Sequence, residues 1–70
     1  MKVSYPLNKA LTEVARRHVI TERLTDDEVA AFTLSPEERA ALTTGDIAAL
    51  YDLGANPYLI RRVFRPRFAR

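Results

Sequence analysis

Residues 34–60 read LSPEERAALTTGDIAALYDLGANPYLI, and this stretch decides the fold. It opens with Ser35, Pro36 and Glu38 in the spacing of a capping box. The Ser35 hydroxyl can accept the N–H of the third helical residue while Glu38 reaches back to the cap. Pro36 suits the first helical position, where its missing N–H costs nothing. Gly45 can close that helix in a left-handed conformation, and Asp46 can cap the next. Gly54 marks a second stop, and Asn56-Pro57 supplies a third cap and first position. Three helix starts and two stops alternate, which leaves room only for short helices joined by tight turns.

The pattern extends outward from there. Upstream, Thr25 and Glu28 form a second capping box, with Asp26 and Asp27 complementing the positive end of the helix dipole. Helices are therefore expected over residues 26–32 and 36–42. Ile47, Leu50, Tyr51 and Gly54 share one face of the helix that follows. A first helix is expected over residues 6–19, because Leu7, Leu11, Val14 and His18 fall within about 60° of one another at 100° per residue. A last helix is expected over residues 57–64, since Pro66 disfavours helical backbone at Arg65. No run of alternating β-branched residues suggests a strand. The expected fold is all-α, one small domain over residues 1–70 with four to five short helices, and residues 65–70 a flexible basic tail.

Composition narrows the function. The chain has 70 residues, no cysteine and a single histidine. A domain this small buries only about 60% of the surface its unfolded chain exposes. Disulfides and thiolate metal sites are absent from its means of support, leaving helix packing or another chain. Net charge is +2, but it is divided unevenly. Residues 1–52 carry six basic and nine acidic side chains, a balance of −3, whereas residues 53–70 carry five arginines and no acid. No apolar run has the length of a signal-peptide core or a membrane span, so the chain is read as cytoplasmic.

No residues assemble into a catalytic motif. His18 lies on the core stripe of the first helix and is read as a partly buried structural residue. Asp26, Asp27 and Glu28 read as caps rather than as a cation site. There is no glycine-rich phosphate loop, zinc-binding helix or nucleophile elbow. Arg61, Arg62, Arg65 and Arg67, interleaved with Tyr58, Phe64 and Phe68, could neutralise phosphates and stack bases. Arginine and tyrosine are equally the residues enriched at protein interfaces. The helices from 36 to 54 lack the long polar second helix that reads a major groove.

Residues 34–62, from LSPEERAAL through GDIAALYDLG to NPYLIRR, resemble the LigA-type domain. That family comprises the small helical alpha subunits of aromatic-ring-opening extradiol dioxygenases (protocatechuate 4,5-dioxygenase alpha-subunit-like). The resemblance implies a non-catalytic accessory subunit bound to a larger catalytic subunit. Fe(II) would belong to that partner, with no cofactor in this chain, and the small subunit would help to form or close the active site. By the same carry-over, Tyr51, Gly54, Asn56, Pro57, Tyr58, Leu59, Arg61 and Arg62 are the expected partner-binding positions. Similar small domains also serve as recognition modules for peptide-modifying enzymes, and a nucleic-acid-binding protein using the basic segment is the alternative from another class. Neither nucleic acid nor a membrane is the expected partner.

Overall fold

A computed structural model describes residues 3–68. Among them are five α-helices, α1 (Tyr5–Arg16), α2 (Asp26–Ala30), α3 (Pro36–Thr44), α4 (Ile47–Asp52) and α5 (Pro57–Val63), followed by a 3-10 turn at Arg65–Arg67. No strand occurs among the described residues, so the all-α expectation holds. α1 packs chiefly on α5, and α2, α3, α4 and α5 each pack on the next in order. Leu7, Leu11 and Val14 of α1 share one core with Leu42, Leu50, Ile60, Val63 and Phe64. Each such side chain, when fully buried, contributes about 1.5–3 kcal/mol.

Both capping boxes form. Thr25 accepts from the Glu28 N–H while Glu28 accepts from the Thr25 N–H, and Ser35 and Glu38 do the same. Asp46 and Asn56 cap α4 and α5 through their side chains. α2 stops at Ala30 rather than at residue 32, and α3 runs on to Thr44. α1 has a cap that its sequence does not advertise: Ser4, in extended conformation, accepts from the Leu7 N–H. The Ser4 hydroxyl also donates to the buried Glu38 carboxylate, so the starts of α1 and α3 are tied together.

His18 departs from expectation. α1 ends at Arg16, so His18 does not reach the core stripe; it is exposed, with φ of 60°. The His18 N–H donates to the Ala15 carbonyl at 3.0 Å and the Val19 N–H to the Val14 carbonyl at 3.2 Å. That pair of bonds is a Schellman ending, whose left-handed position is normally glycine. Val19 turns inward against the core as a result. A left-handed non-glycine residue costs roughly 1 kcal/mol. His18→Gly is therefore expected to stabilise the fold by about 0.5–1 kcal/mol, raising the urea midpoint without changing the m-value.

Gly45 and Gly54 end α3 and α4 as expected, with φ of 68° and 95°. At Gly45 the turn also lies against the loop before α2: a β-carbon there would stand 2.1 Å from the Glu22 carbonyl oxygen. In the segment expected to be a flexible tail, the Arg67 guanidinium donates to the carbonyls of Glu22 and Thr44, each at 3.0 Å. The last two positions of that segment, including Arg70, lie outside the described residues.

Candidate protein-docking face

The outer face of α5 is built from the turn that launches it. Asn8 of α1 reaches across to this turn, donating through Nδ2 to the Gly54 carbonyl at 3.1 Å. Its Oδ1 accepts from the Asn56 N–H at 2.6 Å, and the Ser4 N–H also donates to Gly54. These bonds fix the direction in which Pro57 starts the helix. Asn8→Ala removes two of them and leaves partly buried polar groups to find water, at a cost of about 1–2 kcal/mol. Thermal melts of the variant check this, with a loss of roughly 4–16 °C expected for a domain of this size.

Along α5, Ile60 and Val63 point into the core, and Leu59 is half-buried against it. Tyr58, Arg61 and Arg62 are left on the outside, with Tyr58 67% exposed. Asn56 and Pro57 are exposed beside them. Tyr51 is 40% exposed on α4, one helix back, while Gly54 is buried and its carbonyl is committed to α1. The eight positions marked in the sequence thus separate into surface and support. Tyr58, Arg61 and Arg62 stand together, Asn56 and Pro57 adjoin them, and Gly54 and Leu59 are parts of the scaffold.

Arg65 and Phe68, which the sequence assigns to the tail, belong to the same surface. With Tyr58, Arg61 and Arg62 they line a shallow depression of about 310 Å³. The Arg61 guanidinium carbon lies 5.0 Å from the centre of the Phe68 ring, within cation–π range. Among the described residues no carboxylate pairs with Arg61, Arg62 or Arg65; the Arg16–Glu13 pair at 3.4 Å lies on α1. Arg61 and Arg62 also occupy the last turn of α5, where positive charge complements the carbonyl end of the helix.

A larger depression, about 810 Å³, lies elsewhere, between the loop before α2 and the end of α3. It is open and polar, and Arg67 in its wall already bonds two carbonyls of the fold. Of the two cationic side chains in its wall, Arg23 and Arg67, the second is engaged within the fold. Among the described residues no group of three or more histidine or acidic side chains is placed to hold a metal ion. No helix among them is long and apolar enough to cross a membrane. Compared with known proteins, the chain matches no family model, no curated protein and no solved structure.

Proposed function

We propose that the chain is a non-catalytic accessory subunit, working in the cytoplasm, that a larger protein holds by the outer face of α5. The observation that carries this reading is an exposed tyrosine set among three arginines without acidic partners among the described residues. Tyrosine and arginine combine large contact area with directional hydrogen bonding and dominate the energetic centres of interfaces. A nucleic-acid ligand is less well served. The Phe68 ring is already covered by Arg61, so Tyr58 is left as the one exposed ring of this cluster on which a base could stack.

The larger protein is proposed to be an extradiol-dioxygenase-like non-haem Fe(II) enzyme, whose active site this subunit helps to form or close. That finer assignment rests on the resemblance of residues 34–62 to the LigA-type domain. It places the iron and its ligands in the partner and asks no side chain of this chain to bind metal.

The test is truncation at the centre of the face. Tyr58→Ala and Arg62→Ala are each expected to weaken partner binding by about 2 kcal/mol, roughly thirtyfold. Stability should change by no more than about 0.5 kcal/mol, because both side chains are exposed. Unchanged binding and turnover in both variants would refute the proposal. A nucleic-acid ligand would instead be lost steeply between about 50 and 200 mM salt, through counterion release.

A further inference from the structure

The α5 face does not end at α5. The depression beneath Tyr58 is bounded by Arg61, Arg62 and Arg65, and a second one, about 230 Å³, adjoins it across Arg62 and Arg65. Arg62 and Arg65 line both hollows, and the opposite wall of the second is His18, Val19 and Ile20. This loop is held in place. The left-handed turn at His18 sends Val19 inward, and Ile20 is left 52% exposed. Immediately after it, the Thr21 N–H donates to the Val63 carbonyl at 2.8 Å, which fixes the loop to α5. Two exposed apolar side chains, Tyr58 and Ile20, therefore flank an arginine ridge on one rigid surface.

The charge of that ridge specifies what can cover it. Residues 53–70 contain no acidic side chain, and no carboxylate elsewhere among the described residues turns toward Arg62 or Arg65 to form a pair. A neutral surface closing over these guanidinium groups would strip their water and return nothing. Carboxylates would replace the lost hydration with charge-assisted, often bidentate, hydrogen bonds. Phosphate could do this too, but the apolar ends of the surface favour a polypeptide that carries aliphatic or aromatic side chains as well as acids.

Building on the docking reading above, we propose that this two-part surface receives an acidic segment of the partner protein. Its carboxylates lie along Arg62 and Arg65, and its apolar side chains rest on Tyr58 at one end and Ile20 at the other.

Site-specific photo-crosslinking in the native host tests this on the full chain. The photoreactive residue is placed at position 20, at position 58, or at exposed Ala40 on α3 as a control, and the labelled peptides are sequenced. Positions 20 and 58 are expected to label the same larger protein, at one segment rich in aspartate and glutamate, and position 40 not to label it. Adding Arg62→Glu with Arg65→Glu should lower both yields by about tenfold or more, since like charges across an interface repel. A circular-dichroism melt confirms that the double variant is folded. Labelling from position 58 but not from 20 would overturn the two-part surface and leave the docking reading intact. Labelling from both on a segment without acids, on a second copy of the chain, or on nucleic acid or lipid, would overturn the acidic occupant. No label from either position would overturn the docking reading itself.

Discussion

Phe64→Ala is expected to lower the unfolding free energy by about 3–5 kcal/mol. Phe64 is fully buried, and it stands where α5 ends and the 3-10 turn begins. Its ring belongs to the same core as Leu7, Leu11 and Val14 of α1. Cutting it to a methyl group removes apolar burial and leaves a void that the short flanking elements can close only in part. A chain of 70 residues has a total stability on the order of 3.5–10 kcal/mol, so much of the population would unfold at 37 °C. Urea denaturation followed by circular dichroism checks this. Phe64→Leu, which preserves most of the volume, should cost about 1.5 kcal/mol or less. A loss below about 1 kcal/mol for the alanine variant would mean that the packing of α5 on α1 is not as described.

Gly45→Ala is expected to cost about 3 kcal/mol, although it adds only one methyl group to a turn. Two effects combine. With φ of 68°, the position lies in the left-handed region that side chains disfavour. The added β-carbon would also stand 2.1 Å from the Glu22 carbonyl oxygen and 2.8 Å from the Arg67 guanidinium. The loop before α2 must then move, and the Arg67 bonds to Glu22 and Thr44 are lost with it. The midpoint of thermal unfolding should fall by roughly 12–24 °C. Arg67→Ala separates the two effects, because it removes the bonds without straining the backbone and should cost less than half as much. Equal losses in the two variants would assign the whole effect to the arginine.

What could be read from the sequence, and what could not, follows from how local each determinant is. The capping boxes at Thr25 and Ser35 are legible because cap and partner lie three residues apart, so the chemistry is complete within one turn. The stops at Gly45 and Gly54 are legible because glycine is the usual left-handed residue. At His18 the same Schellman ending is hidden behind a side chain that fits the apolar stripe of α1, so periodicity alone carries the helix too far. Asn8 reads as an ordinary polar helix residue, yet its partners are 46 and 48 positions away. Arg67 likewise reads as part of a charged tail until Glu22 and Thr44 are brought beside it.

The docking face divides in the same way. Tyr58, Arg61 and Arg62 mark themselves as surface because Ile60 and Val63 take the inward positions of a short amphipathic helix. Their neighbour Arg65 opens the 3-10 turn, and Phe68 lies beyond the Pro66 that breaks the helical pattern; that turn keeps both on the face. His18 and Ile20 join it through a hydrogen bond between Thr21 and Val63, 42 residues apart, which no local motif announces.

The most direct measurement of the central proposal is native mass spectrometry of the tagged chain purified gently from its own host, with iron determined on the same complex. A single larger protein in fixed stoichiometry, carrying iron and lost when Tyr58 is replaced by alanine, is the result expected if α5 is held by an Fe(II) enzyme. Recovery of the chain alone, or of a partner that Tyr58→Ala retains in full, would contradict it.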